Sequence, residues 1–177
     1  APVALYSISF AMSGNNLTIL AQQDLETTKY RNMVIDLGDG VKTNAQLTYP
    51  AVGKGPFPGV LLNAGSGALD KNGTQAPKTS PEWQIAQYLS ERGFAVLRFD
   101  KRGVGPSSYH FSNSNVWGNA TANDFLHDAE KALNVLIQQP EVDPKRINLI
   151  GHSDGTIYVP REALDNPTKV KNTTVMG

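Results

Sequence analysis

The segment Ile147 to Thr156 reads Ile-Asn-Leu-Ile-Gly-His-Ser-Asp-Gly-Thr, and no other stretch constrains the chain as strongly. A short apolar run enters Gly151-His152-Ser153-Asp154-Gly155, and a helical pattern leaves it. Gly-x-Ser-x-Gly between a strand and a helix is the setting in which a serine is held up as a nucleophile. Sterics explain the spacing. A serine at the apex of so sharp a turn takes a sparsely populated backbone conformation, so its neighbours must be small. Glycines two residues to either side let strand and helix pass without a Cβ between them. The hydroxyl then points away from the sheet, beside the first N–H groups of the helix. A bare Gly-x-Ser-x-Gly also occurs in ordinary loops. Here the flanking strand and helix patterns make Ser153 the candidate nucleophile.

The rest of the composition narrows the class. At 177 residues the chain is long enough for one domain with a real core and short for two. Sixteen Lys and Arg balance sixteen Asp and Glu, with no basic run, so neither nucleic acid nor an anionic membrane surface is expected as a partner. No apolar stretch reaches the length of a membrane span. The absence of cysteine removes disulfides, thiolate chemistry and Cys-based zinc sites. His110, His127 and His152 are scattered without ligand spacing, so neither a metal centre nor any other cofactor is expected. The opening Ala-Pro fits a mature end left by cleavage at a small residue. Together with sequons at Asn16, Asn72, Asn119 and Asn172, it favours an exported or extracellular protein over a cytoplasmic one.

Taken in order, Val3 to Phe10 and Leu17 to Ala21 flank the turn residues Ser13-Gly14-Asn15-Asn16. Residues 1–29 are therefore expected to form an N-terminal extension or hairpin, closed by the polar stretch Gln22 to Lys29. Tyr30 to Leu37 and Val41 to Tyr49 flank Gly38-Asp39-Gly40, a two-strand signal. After a Gly- and Pro-rich loop, Val60-Leu61-Leu62 reads as a strand buried on both faces. It leads into Asn63-Ala64-Gly65-Ser66-Gly67-Ala68-Leu69-Asp70, whose small residues let backbone N–H groups face a ligand. Ser80 as N-cap and Pro81 at the first position start a helix with Trp83, Ile85, Ala86 and Leu89 on its apolar face, ended by Gly93. Phe94 to Phe99 is a second buried strand. Ser108 to Ala120 reads as a loop or lid bordering the pocket, with Trp117 as a possible lining residue. Asp124 to Gln139 is an amphipathic helix stopped by Pro140.

Strands alternating with helices mean a mostly parallel sheet with helices on both faces. Ligands in such sheets bind beyond the carboxyl ends of the strands. The Gly65–Gly67 loop, the Asp100–Ser107 loop and the Ser153 turn all lie at such ends, so they converge on one edge.

At this point residues 30–177 resemble an α/β-hydrolase, in particular the serine carboxylesterases with a Gly-Ser-Gly loop and a Gly-His-Ser-Glu-Gly elbow. Gly65-Ser66-Gly67 with Asp70 carries the likeness. So do Arg92 to Gly105 as strand and turn, Pro140 to Ile147 as the entry to the elbow, and Pro160 beyond it. The resemblance implies that Ser153 attacks an ester carbonyl while the N–H groups of Ser66 and Asp154 hold the oxyanion. Asp154 stands for the usual Glu, Thr156 for a Gly and Ala64 for a His. Only Ala64 bears on the site, by removing a side chain beside the loop.

Such hydrolases place serine, then acid, then histidine along the chain. After Ser153 the acids are Asp154, Glu162 and Asp165, and no histidine follows. His152 is expected to point away from its neighbour Ser153, and His110 and His127 to face solvent. Asp70 reads as a loop-fixing acceptor, and Asp100 with Arg102 as an ion pair stabilising the turn. The expectation is an α/β-hydrolase fold still lacking its C-terminal strands, with a complementary C-terminal segment of the same domain as partner. That segment would supply an acid and a histidine. The activity expected is carboxylesterase chemistry on a small-molecule ester through an acyl-enzyme. Peptidase or thioesterase activity is the alternative on the same nucleophile, and a non-catalytic binding module is the alternative of another class.

Overall fold

The computed structural model describes residues 5–75 and 79–177, and of residues 5–10 and 20–25 the backbone alone. Val3 and Ala4, expected in the first strand, lie outside the described residues. Strands β1 (Leu5–Ser13) and β2 (Asn16–Leu25) pair antiparallel as a separate two-stranded sheet. Strand β2 continues through Gln22 to Leu25, which the sequence assigns to a polar separator. Main-chain pairing sustains it there, Asp24 opposite Tyr6 and Leu25 opposite Leu5, so no apolar face is needed.

The main sheet has six strands among the described residues. They are β3 (Thr28–Gly38), β4 (Val41–Pro50), β5 (Phe57–Asn63), β6 (Ala95–Phe99), β7 (Val142–His152) and β8 (Val170–Met176), in the order β3-β4-β6-β5-β7-β8. Asp39 and Gly40 take φ of 51° and 75° between β3 and β4, as a two-residue hairpin with both central residues left-handed requires. Strands β6, β5, β7 and β8 run parallel, while β4 joins β6 antiparallel. Strand β8 forms one edge and is exposed from Lys171 to Val175.

Four helices complete the described fold: α1 (Pro81–Ser90), α2 (Ser114–Gly118), α3 (Ala122–Ile137) and α4 (Gly155–Asp165). Alternation along β5 decides what each covers. Leu61 points into a core shared with Ala132, Leu133 and Leu136 of α3 and Val159 of α4, whereas Val60 and Leu62 pack on the other face against Ala86 of α1. Each such buried Val or Leu side chain contributes about 1.5–3 kcal/mol. Both faces of β5 are therefore covered, as its unbroken apolar run implies.

Four further local features depart from the sequence expectation. Trp83, assigned to the apolar face of α1, is 47% exposed, and Glu82 is buried in its place. Positions 82, 85, 86 and 89 form one helical stripe, and Glu82 fills the first slot because it has a polar partner across the sheet. The Ser80 hydroxyl lies 3.3 Å from Thr74 Oγ1 and makes no cap bond to α1. Helix α3 starts two residues before Asp124, because Thr121 and Asp124 form a capping box: the Thr121 N–H donates to Asp124 Oδ2 at 2.8 Å. The Ser108–Ala120 segment also holds a short helix, α2, capped by Asn113 Oδ1 accepting from Asn115 and Val116.

Candidate active site

Strand β7 ends at His152 and α4 begins at Gly155, leaving Ser153 and Asp154 to make the turn. Ser153 has φ 53°, a left-handed value that costs a non-glycine residue roughly 1–3 kcal/mol. The surroundings hold it there. Its N–H donates to the Met176 carbonyl at 2.8 Å, and its carbonyl accepts from the Thr156 N–H at 2.9 Å. A Cβ on Gly151 would overlap the Gly155 carbonyl, and one on Gly155 would overlap the carbonyl of Asn63. Strand, helix and the end of β5 are thus in backbone contact.

The loop after β5 faces this turn. A Cβ at Gly65 would stand 3.0 Å from Ser153 Cβ and 3.5 Å from its Oγ, so glycine there lets the main chain approach the hydroxyl. Among the described residues, the N–H groups of Ser66 and Asp154 have no hydrogen-bond acceptor. The Lys101 ammonium donates to the Gly65 carbonyl, and the Lys101 N–H donates to Leu69 O at 3.1 Å. Tyr109 lies over Gly67, and its N–H donates to Ala68 O at 2.7 Å. The Ser108–Ala120 segment therefore meets the loop through Tyr109.

Asp70 accepts from the Thr74 N–H and the Ser108 hydroxyl, both at 2.9 Å, and so fixes the loop. Asp100 and Arg102 do not pair with each other. Asp100 accepts from the Lys71 N–H at 2.7 Å and from Asn44 at 3.2 Å. Arg102 forks onto Asp128 at 2.8 and 2.6 Å and also reaches Asp124 at 3.2 Å. Both residues lie in the turn beyond β6, where the chain has left the two-residue alternation of a strand, and each anchors that turn to a separate element. Burial pushes the carboxyls of Asp100 and Asp128 up, and the hydrogen bonds that Arg102 donates to Asp128 push its guanidinium up.

A cavity of about 20 Å³, room for about one water molecule, lies beside the Gly65 loop. Asn63, Ala64, Phe99, Lys101, Phe125, Asp128 and Tyr158 line it. Trp117 stands one ring behind, packed on Phe125 with centroids 5.8 Å apart. Of the histidines, His152 turns from Ser153 to Glu82, Nδ1 to Oε1 at 2.9 Å. His110 pairs with Ser107 Oγ at 2.9 Å, and His127 is exposed. Sequence reasoning assigned no role to Lys101, Glu82, Glu162 or Tyr158. The run Asp100-Lys101-Arg102-Gly103 marked the region, and only the position of Lys101 beyond the end of β6 hinted at its direction.

Parallel strands flanked by helices, with a serine on a left-handed turn between β7 and α4, define an α/β-hydrolase. The family described as serine aminopeptidase, S33, matches residues 83–177, more than half of the chain, and the chain belongs to it. It is similar to Esterase FrsA of Yersinia pestis (strain Pestoides F), 26% identical over 157 residues that make 86% of this chain and 34% of that protein. Esterase FrsA of Yersinia pseudotuberculosis serotype O:1b (strain IP 31758) matches to the same extent. The chain thus spans about a third of the length of the curated relatives it matches. Among solved structures, a dienelactone hydrolase-like promiscuous phosphotriesterase, P91, from metagenomic libraries superposes with TM-score 0.64 at 20% identity, over 85% of this chain and 59% of that one. A bacterial heroin esterase superposes with TM-score 0.63 at 19% identity, over 85% and 44%. Oligopeptidase B from Trypanosoma brucei gives 0.62 at 17% identity, over 92% and 23%. These structures share the fold.

Proposed function

We propose that this chain carries the nucleophile and oxyanion hole of a serine ester hydrolase, a carboxylesterase acting on small or medium esters. The observation that carries the reading is Ser153 at φ 53°, facing the Gly65–Ser66 loop, where the N–H groups of Ser66 and Asp154 lack acceptors among the described residues. Ser153 Oγ attacks the ester carbonyl carbon and its proton passes to a base. The negative charge gathers on the carbonyl oxygen, where two N–H donors each contribute about 2.7–4 kcal/mol. Collapse expels the alcohol and leaves an acyl-serine, which water then hydrolyses. A histidine and its acid partner from outside these 177 residues serve as the base pair of groups, because His152 is engaged by Glu82 and His110 by Ser107. That the matched relatives are named esterases supports ester substrates. The family description favours a second reading, release of an N-terminal amino acid from a peptide through the same acyl-serine.

The test uses the complete protein. Labelling by a fluorophosphonate that is lost in Ser153→Ala, with ester turnover far above amide turnover, is the expected result. Equal rates on aminoacyl amides favour the peptidase, and an unlabelled wild type rejects the nucleophile.

A further inference from the structure

We propose that Lys101 is a positioning residue for the oxyanion hole, holding the Gly65 carbonyl so that the Ser66 N–H points at the reacting carbonyl. The inference rests on the assignment of Ser153 as nucleophile and Ser66 as oxyanion donor. The Gly65 C=O and the Ser66 N–H belong to one planar, trans peptide unit, so they point in opposite directions. Whatever fixes the carbonyl also fixes the donor. The Lys101 ammonium donates to that carbonyl from the side of the cavity.

The peptide needs such a clamp. Gly65 has no side chain to set its orientation, and Gly67 at φ 92° gives the loop a second freely turning point. Ala64 offers no polar group to hold the loop. Lys101 closes both ends of it, its ammonium on the Gly65 carbonyl and its own N–H on Leu69 O. A cation on the carbonyl also polarises the amide and strengthens the N–H as a donor. Nothing in this requires Lys101 to touch substrate.

The ammonium is itself well held. It lies 5.2 Å from the centre of the Phe125 ring, and Phe125 packs on Trp117 and Tyr158. Burial pulls its pKa down, while the Asp154 and Glu82 carboxylates oppose that shift. Asp128 and Tyr158 line the same cavity. A cation kept from water by this much surrounding structure is costly unless its bonds are made, and among the described residues the Gly65 carbonyl is the acceptor it has.

The experiment measures ester hydrolysis by the complete protein with Lys101→Met, Lys101→Gln and Lys101→Arg, each normalised to fluorophosphonate-titrated sites. Lys101→Met is expected to lower kcat by roughly 10- to 100-fold with KM little changed. The inhibition constant of a trifluoromethyl ketone, which forms the tetrahedral adduct, should weaken by the same factor. Lys101→Arg should recover part of both losses. Should Lys101→Met fail to fold, Arg and Gln carry the comparison, with Arg above Gln in both readouts. Unchanged kcat and adduct affinity per titrated site overturn the inference, as do Arg and Gln variants of equal activity. Ser153→Ala separates the two claims. If that variant keeps wild-type activity, the nucleophile assignment itself fails; if it is dead while Lys101→Met is normal, only the lysine is wrong.

Discussion

His152 and Glu82 meet at 2.9 Å, joining the last residue of β7 to the first turn of α1 across 70 residues of sequence. Glu82 is 1% exposed, and its Oε2 has no hydrogen-bond partner among the described residues. The imidazole is thereby turned away from Ser153 beside it.

Removing that partner is expected to be costly. Glu82→Ala leaves the His152 nitrogen without its acceptor and opens a small void, for a loss of about 1–3 kcal/mol. Glu82→Gln keeps an acceptor oxygen and should lose less. Urea midpoints of the two variants check the order, and a Gln variant weaker than the Ala variant contradicts it.

Gly155→Ala should be among the more damaging small substitutions. The new Cβ would overlap the Asn63 carbonyl, which is backbone and has little freedom to move. Overpacking of this kind costs roughly 1–3 kcal/mol, and here it also displaces the end of β5. Gly118→Ala, with open space around it, is the control and should be close to neutral. Thermal melts of both decide.

The Arg102–Asp128 pair predicts an asymmetry. Asp128 is buried, and Asp128→Ala removes the fork that holds the Arg102 guanidinium and leaves it only the more exposed Asp124, costing about 1.5–3 kcal/mol. Replacing both partners, Arg102→Met with Asp128→Leu, should recover much of that loss. A double variant no better than Asp128→Ala in denaturant would show that the ion pair itself, and not the uncompensated charge, sets the cost.

Glu162 makes stability depend on pH. Burial pushes its carboxyl up to about 8, with the hydrogen bond from Asn63 opposing. The folded protein therefore keeps this proton over a range where the unfolded chain has lost it. The contribution is fully present below 4.5 and fades as pH rises through about 8, by at most about 1.4 kcal/mol per pH unit. Glu162→Gln should flatten the decline relative to wild type between pH 5 and 8. Parallel curves from chemical denaturation would remove Glu162 as its source.

Much of this architecture is written in short-range patterns. The Asp39-Gly40 hairpin, the doubly buried Val60-Leu61-Leu62 run and the amphipathic α3 each depend on residues within a turn or two of one another. The elbow is equally local: Gly151 and Gly155 are small because strand and helix touch at those points, and the strain at Ser153 follows from the same crossing. The capping box that starts α3 is as local, lying within the four consecutive residues Thr121 to Asp124.

The polar interior was not legible in the same way. Trp83 is the better hydrophobe and Glu82 the better surface residue, yet Glu82 is inside, because His152 waits 70 positions away. Glu162 is buried against Asn63 at a separation of 99, and Lys101 reaches back 36 residues to the Gly65 carbonyl. Asp100 and Arg102 divide between Lys71 and Asp128 rather than pairing with each other. Hydrophobic periodicity and turn chemistry are properties of neighbours along the chain, so the sequence by itself determined the strands, the helices and the serine at the turn. Whether a charged group can leave water depends on which partner the completed sheet brings to it, and only the tertiary structure decided that.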